Sequence, residues 1–112
     1  MSLEVRRSEW FMGDLEHYAA WYDGEAGWEL AERYLEAVAS TLDKLRDVPS
    51  LGHNTHFKHP TARPEMQPVE GPFRKHLIFY RYDHITLYAE RAVHGARDLP
   101  RRLTQAPGSE ER

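Results

Sequence analysis

The apolar positions of the chain switch from a period of two to a period near 3.6 and back again. Leu3-Glu4-Val5-Arg6-Arg7 alternates apolar and polar residues, which predicts a short strand. Phe11, Leu15, Tyr18 and Tyr22 then recur at the spacing of one helix face. Gly24 and Gly27 interrupt that pattern and predict a tight turn. Trp28, Ala31, Leu35, Val38, Leu42 and Leu45 predict a second, longer helix, with Glu29, Glu32, Arg33, Glu36, Asp43 and Lys44 on its opposite face. Pro49 and Gly52 end it, so the two helices read as an antiparallel hairpin.

From Leu51 to Pro72 the chain is polar and carries Pro60, Pro64, Pro68 and Pro72. Within it Glu65 to Val69 reads as an edge strand, because proline is tolerated only at such positions. The strongest strand signal is Arg74 to Tyr82, which contains the apolar run Leu77-Ile78-Phe79-Tyr80. Asp83-His84 predicts a hairpin turn into a second β-rich run, Ile85 to His94, which Gly95 breaks. The expected fold is α+β: an N-terminal strand, a helical hairpin, then a three-stranded antiparallel meander packed on the helices. Residues 1–104 form one domain in this reading, and the polar residues 105–112 a disordered tail.

A turn centred on Asp83-His84 places Arg81 opposite Thr86, Phe79 opposite Tyr88 and Leu77 opposite Glu90. One sheet face then holds Ile78, Tyr80, Ile85, Leu87, Ala89 and Val93 and should meet the helices. The other holds Phe79, Arg81, Thr86, Tyr88, Glu90 and His94, and is where a site belongs. On this register Arg91 falls on the helix-packing face and would snorkel to its edge.

Charge sharpens that division. The net charge is −3, yet residues 1–50 hold 5 basic and 11 acidic side chains, whereas residues 51–112 hold 10 basic and 7 acidic. The acidity therefore sits on the helical half and the basic groups on the sheet half. Without cysteine, a disulfide framework, a thiolate zinc site and a cysteine nucleophile are all excluded. No window reaches the ~20 apolar residues of a membrane span, and no signal-peptide core is visible, so the expected location is the cytoplasm.

Candidate chemistry is sparse. His53, His56 and His59 follow a three-residue spacing in a loop that matches no helical ligand pair, and the sequence reads them as a polar loop with no metal or cofactor. No nucleophile elbow or phosphate-cradling glycine loop is present. The stronger lead is a set of basic residues interleaved with aromatics from Phe73 to Arg102. A metal-free ribonuclease needs a base, a phosphate-binding cation and an acid, roles that Arg81, Tyr88, Glu90 and His94 could share. The simpler reading has the same arginines facing an acidic protein partner or water. Arg97-Asp98 reads as a local ion pair closing the turn after the last strand, worth under about 1 kcal/mol if exposed.

Ala-Trp-Tyr at 20–22, Ala-Glu-Arg-Tyr-Leu-Glu-Ala-Val at 31–38, Phe-Arg-Lys-His-Leu-Ile-Phe-Tyr-Arg at 73–81 and Arg-Ala-Val-His-Gly-Ala-Arg-Asp-Leu-Pro at 91–100 resemble the RelE/ParE superfamily of bacterial type II toxins. The likeness is strongest to its ParE-like, plasmid-stabilisation branch and runs from about Leu3 to Leu103. The resemblance implies a small toxin encoded beside an antitoxin that masks it. RelE-like members cleave messenger RNA on the ribosome, whereas ParE-like members poison DNA gyrase. Glu65, Met66 and Gln67 stand where many relatives carry arginines, which favours a protein target over a nuclease. The expected surface for target and antitoxin comprises Arg74, Arg81, Arg91, His94, Arg97, Leu99, Arg101, Arg102 and Leu103. A ribosome-dependent nuclease and an inactive antitoxin-binding module remain the alternatives, and exposed strand edges would allow a homodimer.

Overall fold

A computed structural model describes residues 2–55, 64–95 and 99–109. Ser8 starts the first helix: its hydroxyl accepts from Phe11 N at 2.9 Å and donates to Glu90 O at 2.9 Å. It thus caps α1 (Glu9–Ala26) and ties the cap to the sheet. The helix runs straight through Gly24 and stops at Gly27, whose φ of 98° suits glycine. Gly27 ends α1 and also precedes α2 (Trp28–Asp47), so the hairpin joint is one residue long rather than the wider Gly24–Gly27 turn expected.

The α2 stripe also sits slightly away from its predicted line. Ala31, Tyr34, Val38, Thr41, Leu42 and Leu45 are buried, while Trp28 and Leu35 lie outward at 63% and 39% exposure. Tyr34 takes the core place that Leu35 was expected to hold, because its ring fits among Tyr18, Tyr22 and Phe73.

The sheet has five strands in the order β1 (Glu4–Arg7), β5 (Thr86–His94), β4 (His76–Tyr82), β3 (Glu65–Pro68) and β2 (His53–Asn54). The expected antiparallel meander is β3–β4–β5. To it the fold adds β1, parallel to β5 through Val5 opposite Leu87, and the short β2, which covers β3. The strand predicted at Glu65–Val69 is therefore not an edge. Short helical turns at Pro49–Leu51 and Gly71–Phe73 join the layers, and α3 (Leu99–Arg102) follows the last strand.

The β4–β5 register differs from the expected one. Tyr82 faces Leu87, Arg81 faces Tyr88 and Tyr80 faces Ala89. The Asp83 carboxylate accepts from the amides of Ile85 and Thr86, both at 2.8 Å, which lengthens the turn and leaves Ile85 exposed. Those bonds hold the Asp83 carboxyl below its ordinary pKa. The register then shifts again: Phe79 pairs with Arg91, leaving Glu90 as the extra residue of a bulge. Beyond it the faces exchange. Val93 leaves the helix side to join Leu77 and Phe79, and His94 turns toward α1. A one-residue slip has that effect because side chains alternate every residue.

The main core lies between the helices and one sheet face, with Phe11, Tyr34, Val38, Leu45, Ile78, Tyr80 and Leu87 essentially buried. Tyr80 also pins the connection after α2, donating to Pro49 O at 2.6 Å and accepting from Gly52 N at 3.0 Å. Burial pushes its hydroxyl pKa up to about 12. On the opposite sheet face a second, smaller cluster forms from Leu77, Phe79 and Val93, covered by Met66, Leu99 and Leu103. No helix among the described residues is long and apolar enough to cross a membrane.

Candidate protein-binding surface

The open sheet face brings three of the four candidate catalysts together. Arg81 on β4 donates to Glu90 at 2.5 Å, and its guanidinium stands 4.8 Å from the Tyr88 ring centroid. The bulge is what swings Glu90 onto this partner. The Arg81 and Glu90 side chains are 48% and 33% exposed, so the cation and the carboxylate largely neutralise each other at the surface. His94 is not part of this group, since the face exchange carries it to the helix side of the sheet.

Arg91 is placed differently from every other candidate. It is 5% exposed and grips Asp14 of α1 through two bonds of 2.8 Å, from Nε and Nη2. Its Nη1 donates to the carbonyls of Arg102, Leu103 and Gln105 at 3.2, 2.9 and 2.7 Å. Trp10 stacks over the guanidinium at 4.9 Å, and Asp14 also receives the amide of Ala92 at 2.8 Å. This buried, fully occupied guanidinium cannot reach a partner; it organises the C-terminal segment. Asp14 was not anticipated as its counterpart, although the sequence carries a signal: it sits inside the apolar stripe of Phe11, Leu15 and Tyr18.

The segment so held carries most of the remaining candidates. Leu99 and Leu103 lie on the second apolar cluster, Arg101 is exposed, and Arg102 donates to the Tyr18 hydroxyl at 3.4 Å. Residues 105–109, the start of the expected tail, continue along α1, where Pro107 lies against Gly13 and Gly108 against His17. Arg74 is exposed and lines a groove of about 470 Å³ between α2 and β3, near the Lys44–Glu70 ion pair at 2.7 Å. Arg97, the Arg97-Asp98 pair, His56 and His59 lie outside the described residues. His53 is exposed on β2, and no group of three or more metal-ligating side chains occurs among the described residues.

Behind the sheet end lies a histidine that sequence reasoning passed over as functional. His76 is 1% exposed and ringed by Tyr18, Tyr34, Phe73 and His94, with its Nε2 2.7 Å from the Tyr22 hydroxyl. Burial, with a smaller effect from His94, pushes its pKa down to about 3. It is thus a neutral member of the core at any ordinary pH.

The sequence matches the family described as ParE toxin of type II toxin-antitoxin system, parDE, over residues 5–99. A search of the curated proteins returned no significant match. Among solved structures, the fold is similar to the chromosomal ParDE TA system from P. aeruginosa. The TM-score is 0.68 at 14% identity, covering 85% of this chain and 98% of that one.

Proposed function

The chain belongs to the ParE toxin family and is a type II toxin component, and from that premise we propose that it arrests growth by binding a protein, DNA gyrase, and is neutralised by a cognate antitoxin. The observation that carries the protein-target reading is the disposition of the candidate catalysts. Cleaving RNA without a metal needs a base, a cation and an acid converging on one phosphate. Here Arg81 is paired to Glu90 and stacked on Tyr88, while His94 faces the helices, away from them. Met66 packs on the apolar cluster beside them, adding no cation.

That arrangement suits recognition instead. Arg81 stacked on Tyr88 presents a rigid, planar donor beside an aromatic ring, the residue types that dominate binding hot spots. The strap Leu99–Leu103 adds apolar area at its flank. The same surface would be shared by target and antitoxin, so masking and action exclude each other.

Expression of the chain without a neighbouring antitoxin gene tests this reading. Growth arrest with unaltered messenger RNA 5′ ends is the expected result. Discrete new cleavage ends would establish the ribosome-dependent nuclease in its place. Undisturbed growth would leave an antitoxin-binding module without toxic activity.

A further inference from the structure

The C-terminal segment lies over the sheet without being woven into it. The amides of Leu103, Thr104, Gln105 and Ser109 donate to carbonyls inside the segment, at 3.0 or 3.1 Å. None of residues 99–109 is buried. Side chains hold it in place. Arg91 Nη1 donates to the carbonyls of Arg102, Leu103 and Gln105, and Leu99 and Leu103 rest on Leu77, Phe79 and Val93. Arg102 reaches the Tyr18 hydroxyl at 3.4 Å, and Pro107 fills the notch left by Gly13. Segments tied down this lightly belong to the low end of a protein's local stability.

The surface beneath is fixed from elsewhere. Asp14 receives Arg91 Nε and Nη2, and Trp10 stacks on the guanidinium, so both clamps come from α1. Leu77, Phe79 and Val93 belong to β4 and β5, where Leu77 pairs with Val93. Arg91 is closed to a partner while the segment is seated. Lifting the segment frees Nη1 alone, beside an apolar floor, and Asp14 keeps the rest of the guanidinium in position.

We propose that this surface is a peptide-binding site, filled in cis by residues 99–109 and entered by a protein partner that displaces them. The cis occupant shows what fits. Leucines four residues apart rest on the floor. Carbonyls at the end of the α3 turn, which lack intrahelical partners, meet the guanidinium. The partner is accordingly a helical segment with two large aliphatic residues at i and i+4 near its C-terminal end. Leu77 and Phe79 share a face of β4 with Arg81, so the site continues the Arg81–Tyr88 recognition surface. This inference rests on the protein-binding reading for the nature of its ligand. Its test uses no gyrase, so failure of the site and failure of the gyrase reading are separate results.

The chain has no cysteine, so Gly13→Cys with Pro107→Cys introduces its only thiols. Pro107 Cβ lies 3.2 Å from the Cβ position at Gly13, close to the ~3.5–4.5 Å that a disulfide spans. Oxidation pins the far end of the segment, and reduction frees it in the same polypeptide. The probe is a fluorescein-labelled peptide of residues 99–109, followed by anisotropy, with a Leu99→Asn, Leu103→Asn peptide as control. The reduced chain should bind the probe about tenfold or more tightly than the oxidised chain, because apparent affinity follows the open fraction. Gly13→Ala places a Cβ 2.8 Å from Pro107 Cγ and loosens the segment. It should raise the affinity about threefold to tenfold over the parent. Equal binding by oxidised and reduced forms, no binding to Gly13→Ala, or equal capture of the control peptide would each overturn the proposal. So would a concentration-dependent dimer of the reduced chain that excludes the probe, which assigns the site to the segment of a second copy.

Discussion

Replacing Arg91 by Met removes the guanidinium that joins α1, β5 and the C-terminal segment. Two costs add. Asp14, 2% exposed, loses its counter-charge and is left with only the Ala92 amide, and breaking a buried pair from one side costs about 3–5 kcal/mol. The carbonyls of Arg102, Leu103 and Gln105 lose their shared donor, but they lie near the surface and water can replace it. The first cost therefore dominates global stability, and the second is felt as local release of the strap. Against a total of about 5–15 kcal/mol for a domain of this size, the loss is severe. Urea unfolding followed by tryptophan fluorescence measures it, with Trp10 reporting directly because it stacks on Arg91 at 4.9 Å. Asp14→Leu combined with Arg91→Met removes both charges. It should recover most of the global loss while residues 99–109 stay open to hydrogen exchange and proteolysis. A loss under about 1 kcal/mol in Arg91→Met, with exchange of the C-terminal segment unchanged, would refute the assignment of Arg91 as its organiser.

Three other outcomes follow from the packing. His76 has a folded-state pKa of about 3, below its ordinary 6.5, so the unfolded chain takes up a proton that the folded one refuses. Its contribution is complete above pH 6.5 and lost as pH falls toward 3; urea midpoints measured between pH 7 and 4 should fall less steeply in His76→Phe than in the parent. Gly52→Ala would place a Cβ 2.4 Å from the Tyr80 hydroxyl and 3.0 Å from Met66 O, and thermal unfolding should register a loss of about 1–3 kcal/mol. A double-mutant cycle on Arg81 and Glu90 should give a coupling under about 1 kcal/mol despite the 2.5 Å contact, because the pair is half-exposed.

The helices were legible because burial of one face imposes a period on eighteen- and twenty-residue segments, long enough for the pattern to emerge. The meander was legible from the apolar run at Leu77–Tyr80. What escaped was set by interactions remote in sequence or by single-residue geometry. Arg91 and Asp14 are 77 positions apart; the apolar stripe of α1 marks Asp14 as buried, but nothing local names Arg91 as its partner. The bulge at Glu90 involves no glycine, so the strand pattern runs through it unmarked, yet it decides which face His94 occupies. The turn register likewise depended on the Asp83 side chain capping two amides, which moves the loop off the centre expected at Asp83-His84. The candidate site was accordingly half legible: Arg81, Tyr88 and Glu90 do share a face, while Arg91 and His94 belong elsewhere.

The central claim is that this ParE-family chain acts on a protein rather than on RNA. A DNA supercoiling assay with purified gyrase and the purified chain tests it most directly. Dose-dependent loss of supercoiling, relieved by adding the cognate antitoxin, is the predicted result. Unimpaired supercoiling at every concentration, from a preparation that still arrests growth in cells, would contradict it.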